Sequence, residues 1–143
     1  MKAKILPGGF PLYKKHDGDA GYDLCIPEDV IVYQLDSAFV DLKVAVKIPD
    51  GMVGFLVNRS SLAVKFEVVG NFGVIDSGYT GSLRFKMFNL GTEPVGFVKG
   101  DRIAQLIVVP FYSGEIEYVM ELEETDRGDG GFGSSGRMFP TDA

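Results

Sequence analysis

The chain has 143 residues, 45% of them apolar, and carries a formal net charge of −6 at pH 7. This length is typical of one domain, and the apolar share is sufficient for a hydrophobic core. The acidic balance, with no block of basic residues, argues against general nucleic-acid binding, so we expect no direct contact with nucleic acid.

Cysteine content and hydropathy indicate where the protein works. The single cysteine, Cys25, excludes an internal disulfide and is typical of a reducing compartment. It lies in an apolar segment and is most simply a small core residue. The N-terminus lacks the apolar core of a signal peptide, and no apolar run is long enough to span a bilayer. We therefore expect a soluble, intracellular, cytoplasmic protein that makes no contact with membranes.

Short strands are the main predicted elements along the chain. Nineteen glycines and seven prolines, with little helical periodicity, favour many short strands separated by turns. We predict strands over residues 2–6, 20–27, 30–32, 39–46, 52–57, 74–75, 83–88, 95–98, 103–109 and 115–122. The sequence thus predicts an all-β fold.

One turn near the middle of the chain carries a carboxylate and a tyrosine. A short apolar run ends at Asp76, and the glycine-containing turn that follows includes Tyr79. The alternating residues 83–88 come next, so the pattern predicts a β-hairpin. Such a rim can present both side chains to a ligand while the strands stay rigid. The alternative is an ordinary turn in which Asp76 binds neighbouring backbone N–H groups.

Three polar residues in or beside predicted strands each have two interpretations. Asp23 either points to solvent, which strand alternation favours, or is retained for a charge partner. Gln105, the one polar side chain in an apolar run, is either a satisfied core amide or a group that faces a ligand. Arg59 precedes two serines that predict the N-cap of a short helical turn. The turn forms either a small anion site beside Arg59 or a capped turn with Arg59 in a surface ion pair.

The C-terminal residues differ in composition from the rest of the chain. Residues 121–126 are acidic and favour an extended connection, whereas residues 127–136 contain five glycines and one aromatic residue, Phe132. Such a segment cannot bury enough surface to order itself, so one interpretation is a disordered terminus. The other is a flap, because its arginine, aromatic ring and Gly-Ser-Ser donors suit a ligand with a flat ring and phosphates.

Five motifs occur in the order found in the trimeric dUTP diphosphatases (dUTPases). They are Ala-Gly-Tyr-Asp-Leu (20–24), Arg-Ser-Ser-Leu-Ala (59–63), Gly-Val-Ile-Asp with Gly-Tyr-Thr-Gly (73–81), Gly-Asp-Arg-Ile-Ala-Gln-Leu (100–106) and the glycine-rich run (127–136). On these motifs the sequence resembles the trimeric dUTPase family over nearly its whole length. The resemblance implies a jelly-roll-like β-barrel, residues 1–126, that assembles as a homotrimer with three shared active sites. It implies that residues 127–143 are a flexible arm that closes over a neighbouring subunit's active site.

The resemblance also implies an activity, the hydrolysis of dUTP to dUMP and diphosphate, which keeps uracil out of DNA and supplies dUMP for thymidylate synthesis. Asp76 is then the general base that activates a water for attack at the α-phosphate. Tyr79 packs against the deoxyribose and leaves no room for a ribose 2′-hydroxyl. Arg84 lies either near the base or toward solvent. The residues implied to read the uracil edge are Asn71, Gly73, Val74 and Ile75.

The same resemblance implies a set of residues for the triphosphate and its metal. Asp23 reaches the Mg²⁺ shell through water, while the triphosphate chelates the ion itself. Phe132 stacks on uracil. One departure from the family is Asn58, where proline is more common. Gly133 is implied to contact the substrate. Phosphate contacts are implied for Arg59, Ser60, Ser61, Gln105, Arg127, Ser134 and Ser135.

Two alternatives to a dUTP diphosphatase stay open at this point. A dCTP deaminase shares the fold and some motifs, but the phenylalanine in the tail and the Ile-Asp-Ser-Gly-Tyr turn favour the diphosphatase. The second alternative is a nucleotide-sensing protein that uses this fold to bind a partner. Every implied catalytic position is present, which gives no sign of lost activity.

Overall fold

The structure is a computed structural model that describes residues 1–138. Short strands form most of its regular structure, which confirms the predicted all-β class. The strands are β1 (Lys2–Ile5), β2 (Gly21–Cys25), β3 (Val30–Val32), β4 (Ser37–Lys47), β5 (Met52–Asn58), β6 (Val68–Gly70), β7 (Gly73–Ile75), β8 (Ser82–Asn89), β9 (Val95–Phe97) and β10 (Arg102–Pro110). The helix α1 (Ser60–Phe66) lies between β5 and β6. Within residues 1–138, no helix combines the length and apolar character needed to cross a bilayer.

The chain forms two units, one spanning Met1–Ser113 and a second that begins at Gly114. The described part of the second unit contains no strand, so the strand predicted at residues 115–122 is wrong. Residues 115–122 do alternate between polar and apolar side chains, but a strand also needs a hydrogen-bonding partner. The alternation of residues 115–122 therefore could not show whether a strand forms there.

Antiparallel pairing joins the strands of the first unit in three sheets. Sheet A has the order β1-β4-β8-β6, sheet B has the order β2-β10-β5-β7, and β3 pairs with β9. Sheet A and sheet B contribute to one cluster of buried apolar side chains, so the core lies between them. In β8, for example, Leu83, Phe85 and Met87 are buried while Arg84 and Lys86 are exposed, as their alternation predicts.

The connection from β7 to β8 crosses from sheet B to sheet A. β7 pairs with β5, whereas β8 pairs with β4 and β6. The predicted β-hairpin is therefore wrong, although both strands exist. The turn that carries Asp76 and Tyr79 instead spans the edge between the two layers. The pattern showed two strands separated by a tight turn, but a tight turn does not determine which strands pair.

Candidate active site

A buried carboxylate, that of Asp23, is the centre of a polar cluster on sheet B. Nη1 of Arg102 donates to Oδ2 over 2.9 Å, and Nε2 of Gln105 donates to Oδ1 over 3.0 Å. Nε of Arg59 lies 3.2 Å from the same Oδ1 atom. A buried charge is costly unless it is paired and hydrogen-bonded, and Asp23, which is 6% exposed, is both. The prediction that Asp23 points to solvent is therefore wrong. The alternative prediction, that Asp23 has a charge partner, is confirmed.

Strand register brings these residues together from three separate parts of the sequence. β10 lies between β2 and β5, so Gln105 pairs with Asp23 on one side and with Val57 on the other. Arg102 begins β10, and Arg59 directly follows β5. Directly paired residues have Cβ atoms about 5 Å apart on one face of a sheet, which is within reach of long side chains. The first, second and fourth motifs therefore meet at one place.

The two serines that follow Arg59 begin α1 rather than cap it. Arg59 occupies the N-cap position and makes no side-chain cap hydrogen bond, so the predicted serine cap is wrong. Its side chain instead contacts Asp23 and donates from Nη1 to the backbone oxygen of Arg102 over 3.3 Å. Ser60 and Ser61 lie in the first turn of α1, where backbone N–H groups lack intrahelical acceptors.

A pocket of about 480 Å³ opens beside the cluster. Tyr13, Lys15 and Asp19 line it together with Asp23, the two arginines and Gln105. Three cationic side chains therefore face two carboxylates, and the pocket is net positive. A guanidinium group carries five N–H donors and the contacts to Asp23 use only some of them. The remaining donors suit an anionic ligand such as a phosphate chain.

Cys25 lies at the end of β2, beside this cluster. Burial raises the pKa of its thiol, and the charges of Arg102 and Arg59, which lower it, do not outweigh that effect. The thiol stays protonated at neutral pH and is therefore a poor nucleophile. Cys25 is only half-buried and lies outside the core cluster, so the prediction that it is a core residue is wrong.

Asp76 lies just beyond the end of β7, the edge strand of sheet B, and far from the cluster. It is exposed and directly follows Ile75, which pairs with Gly54. Val57, which pairs with Gln105, is three residues further along β5 than Gly54. With about 3.3 Å per residue and about 4.8 Å per strand, four residues and two strand spacings separate Asp76 from Gln105 by about 16 Å. Within one copy of the chain, Asp76 does not reach the pocket at Asp23.

The segment that precedes Asp76 is held to both sheets. The carboxamide oxygen of Asn71 accepts a 2.8 Å hydrogen bond from the backbone N–H of Lys86, which orients the side chain and leaves its NH₂ group for a ligand. Gly73 and Val74 pair with β5, and β7 is an edge strand of sheet B. One row of backbone N–H and C=O groups on an edge strand has no partner in its sheet. This segment therefore has the donors and acceptors needed to read the edge of a base.

The ring of Tyr79 lies across its own turn. Its hydroxyl donates to the backbone oxygen of Ser82 over 2.8 Å, and its backbone N–H donates to the backbone oxygen of Asp76 over 3.0 Å. A Cβ atom on Gly81 would lie 2.7 Å from the Tyr79 hydroxyl oxygen, so this ring position requires glycine there. Arg84 is exposed on sheet A and pairs in register with Asp41.

The outer face of sheet B is apolar beyond the polar cluster. Gly54, Leu56 and Leu106 are buried on the inner face, whereas the alternate residues of the same strands are half-buried on the outer face. The apolar side chains of this outer face are Val53, Phe55, Val57, Val74, Ile107 and Val109, with the ring of Phe72 centred 5.1 Å from that of Phe55. Val74 is 58% and Phe72 is 65% exposed. A contiguous apolar patch of this kind marks an interaction surface.

The second unit is described from residue 114 to residue 138 and contains only turns and irregular chain in that range. Nε of Arg127 donates to the backbone oxygen of Gly130 over 3.0 Å. Phe132 is fully exposed and has φ 52°, a left-handed conformation that is uncommon for a residue with a side chain. Ser134 and Ser135 lie in the same turn as Phe132 and are also exposed. An aromatic ring and polar donors are thus presented together on one short segment.

Several residues that line the pocket were absent from the sequence-based candidates, among them Arg102, Tyr13, Lys15 and Asp19. Arg102 lies within the fourth motif, three residues before Gln105, and its register with β2 is the signal that would have indicated it. Tyr13 pairs with Asp23 through two backbone hydrogen bonds, and its ring centroid lies 5.4 Å from the Arg102 guanidinium carbon. Nothing in the polar connection around Tyr13 indicates this contact from sequence alone.

The fold and the cluster define a class of protein, a two-layer antiparallel β-protein with a cationic pocket suited to phosphates. The family model described as dUTPase matches residues 11–136. The deoxyuridine 5'-triphosphate nucleotidohydrolase of Mycobacterium marinum is 45% identical over 140 residues, which cover 92% of this chain and 91% of that protein. The chain belongs to the dUTPase family.

Solved structures agree with this assignment. A mutant of the Staphylococcus bacteriophage 80alpha dUTPase with dUpNHpp matches with a TM-score of 0.91 and 32% identity, and covers 95% of this chain and 98% of that chain. A mutant dUTPase from phage phi11 of S. aureus, whose structure shows the coordination of a structural Mg(II) ion, matches with a TM-score of 0.80 and 29% identity. This match covers 86% of this chain and 98% of that chain. The fold is therefore shared over nearly the whole chain.

Proposed function

We propose that this chain hydrolyses dUTP to dUMP and diphosphate, with Asp76 as the general base for a water that attacks the α-phosphate. Membership of the dUTPase family gives the class of enzyme, a deoxyuridine triphosphate nucleotidohydrolase. The observation that carries the proposal is the cluster of Arg59, Arg102 and Gln105 around Asp23 beside an open pocket. Such a set of positioned donors is what a triphosphate requires.

The proposed hydrolysis needs donors that neutralise the charge of the phosphates and a general base that accepts a proton from the attacking water. Arg59, Arg102 and Gln105 bind phosphate oxygens and offset the charge that develops on them as the bond to the leaving diphosphate breaks. Ser60 and Ser61 add hydroxyl and backbone donors from the first turn of α1. The Asp76 carboxylate accepts the proton of the attacking water, which requires contact within about 3 Å.

The connection between β6 and β8 supplies recognition of the nucleoside. The backbone of Gly73, Val74 and Ile75 reads the uracil edge from an edge strand, and the NH₂ group of Asn71 assists. Tyr79 packs against the deoxyribose and excludes a 2′-hydroxyl, because its ring is held by Ser82. These are assignments from the family resemblance that the edge-strand geometry supports.

A magnesium ion fits the pocket only in a water-mediated way. Among the described residues, no group of three or more His, Cys, Asp or Glu side chains could hold a metal. The Asp23 carboxylate has about four lone-pair positions, and three donors already approach it. One position is left for a metal-bound water, and Mg²⁺ commonly keeps its waters and takes phosphate oxygens as ligands. When bound, the ion neutralises charge on the triphosphate.

A homotrimer with shared active sites accounts for the distance between Asp76 and the cluster. The two lie about 16 Å apart within one copy, so a complete site needs Asp76 from one copy and the cluster from another. The outer face of sheet B carries both the cluster and the exposed apolar patch of Phe72 and Val74. A second copy that covers this patch would be placed beside the cluster. We propose that each chain forms a jelly-roll-like β-barrel and that three copies assemble as a homotrimer in which this face is covered.

We propose that residues 127–143, of which 127–138 are described, act as an arm that closes over a neighbouring copy's active site. Phe132 presents its exposed ring for stacking on uracil, and Arg127, Gly133, Ser134 and Ser135 close on the outer phosphates. The segment gains little by folding alone, since it buries little apolar surface, and a bound nucleotide offers the missing contacts.

The proposal is tested by measuring diphosphate release from dUTP, dTTP, dCTP and UTP with magnesium present. We expect release from dUTP and little from the other three. Asp76→Asn should keep nucleotide binding but lower kcat at least about a hundredfold, because an amide cannot accept the proton. Release of ammonia from dCTP would contradict the proposal and support a deaminase, and unchanged turnover of Asp76→Asn would place the base elsewhere.

A further inference from the structure

The turn that carries Asp76 is attached to β4 at both of its ends. Nζ of Lys47, the last residue of β4, donates to the backbone oxygen of Ser77 over 2.8 Å. At the other end, Oγ of Ser82 donates to Oδ1 of Asp41 over 2.5 Å. β4 belongs to sheet A, whereas the strand that delivers Asp76 belongs to sheet B. These contacts thus link the turn to the layer that it is about to enter.

We propose that Lys47 is a positioning residue for Asp76, an inference that rests on the proposed role of Asp76 as general base. Ser77 directly follows Asp76, so the Lys47 bond holds the backbone next to the catalytic carboxylate. Gly78 comes next, and a Cβ atom there would have no neighbour within 4 Å, so the turn is not confined by packing at that point. A bond from a charged donor is then an effective restraint on the carboxylate.

The charge pattern around Lys47 supports a role for this particular bond. Lys47 pairs in register with Lys2, and like charges placed directly opposite each other destabilise a sheet. Sheet stability therefore does not explain a lysine at this position. Its one described ion pair is to Asp50, at 3.7 Å, and the Asp50 carboxylate is almost fully exposed. Exposed ion pairs contribute little, whereas the contact with Ser77 joins β4 to a turn that lies 30 residues away in the chain.

The effect of removing Lys47 should appear in kcat rather than in KM. Tyr79, which packs against the sugar, is held by Ser82, and Ser82 is held by Asp41. That half of the turn keeps its contacts when Lys47 is replaced. Only the Asp76 end of the turn loses a restraint. The chemical step is slower when the catalytic carboxylate samples several orientations, because it spends less time in the reactive one.

The experiment compares Lys47→Met with wild type in steady-state hydrolysis of dUTP. We expect kcat to fall about three- to tenfold with KM changed less than about twofold, and Lys47→Arg to recover most of kcat because guanidinium also donates. Lys2→Met removes the same charge from the paired position, and Asp50→Asn removes only the ion pair, so both should match wild type. Equal kcat for Lys47→Met and Lys2→Met would overturn the proposal.

A second measurement does not depend on activity. Hydrogen–deuterium exchange of the segment 76–80 in folded Lys47→Met should be faster than in wild type, and unchanged exchange would overturn the proposal. Asp76→Asn separates the two proposals. If it keeps full turnover, the proposed role of Asp76 as general base fails and the role of Lys47 fails with it; if it loses turnover while Lys47→Met does not, only the role of Lys47 fails.

Discussion

Asp23 and Arg102 lie on neighbouring antiparallel strands, and Nη1 of Arg102 donates a 2.9 Å hydrogen bond to Oδ2 of Asp23. The same carboxylate contacts Arg59 and Gln105 through its other oxygen. One buried negative charge therefore orients three groups that face the pocket. In the function proposed above, Asp23 acts on the nucleotide through the donors that it holds in place.

Replacing Asp23 by asparagine should destabilise the protein and weaken substrate binding. The amide keeps the size of the side chain but leaves two guanidinium groups without their counter-charge. We expect a loss of about 2–3 kcal/mol in the free energy of unfolding and a rise in KM of about tenfold or more. Urea unfolding and steady-state kinetics measure these quantities. Asp19→Asn, an exposed carboxylate of the same pocket, is the control, and equal stability of the two variants would contradict this account.

Replacing Gly81 by alanine should reduce discrimination against ribonucleotides. The added Cβ atom would lie 2.7 Å from the Tyr79 hydroxyl oxygen, so the ring must leave its position over the turn. We expect the ratio of kcat/KM for dUTP to that for UTP to fall about tenfold, since one displaced contact accounts for about 1.4 kcal/mol. Gly78→Ala is the matched control, because its Cβ atom meets nothing within 4 Å. An unchanged ratio for Gly81→Ala would show that Tyr79 does not exclude the 2′-hydroxyl.

The stability of the protein should depend on Asp41 in acid. The hydrogen bond from Ser82, followed by the backbone and side-chain contacts of Lys43, lowers the pKa of Asp41 below its ordinary value of 3.8. A carboxyl group with a lowered folded-state pKa stabilises the protein above pH 3.8, and this contribution is lost as pH falls through the folded-state pKa. The melting temperature Tm should therefore fall less steeply between pH 6 and pH 2 for Asp41→Asn than for wild type. Parallel curves would contradict the role of Asp41.

Removing the arm should abolish most activity without unfolding the protein. A chain that ends at Asp126 keeps the whole unit Met1–Ser113 and with it the apolar core. We expect circular dichroism and oligomer mass to match wild type, while kcat/KM falls about a hundredfold because base stacking and phosphate contacts are lost. A truncated protein with full activity would refute the arm's role.

Alternation predicted the strands well because it reports a local quantity, the side of the sheet that each residue faces. Leu83, Phe85 and Met87 are buried as expected. Pairing is not local, so the predicted hairpin between β7 and β8 proved wrong. The strand predicted at residues 115–122 was wrong for the same reason, since alternation does not report whether a strand pairs and the described chain has no strand there.

The site was predictable where a residue type is unusual for its element. A carboxylate in a strand already suggested that Asp23 has a charge partner, but only the register of β10 shows that Arg102 is one of them. The shared site was implied by family resemblance alone. The distance between Asp76 and Gln105 depends on the order of the strands in sheet B. Local sequence patterns do not indicate this order.

The central claim is that Asp76 of one copy acts on a substrate held by the cluster of another. Co-expression of Asp76→Asn with Arg59→Ala tests it most directly, because each variant alone lacks one half of every site. In randomly mixed trimers about a quarter of the sites would pair an intact Asp76 with an intact Arg59. We predict that the mixture regains about a quarter of wild-type activity, whereas a mixture as inactive as its two parents would contradict the shared site.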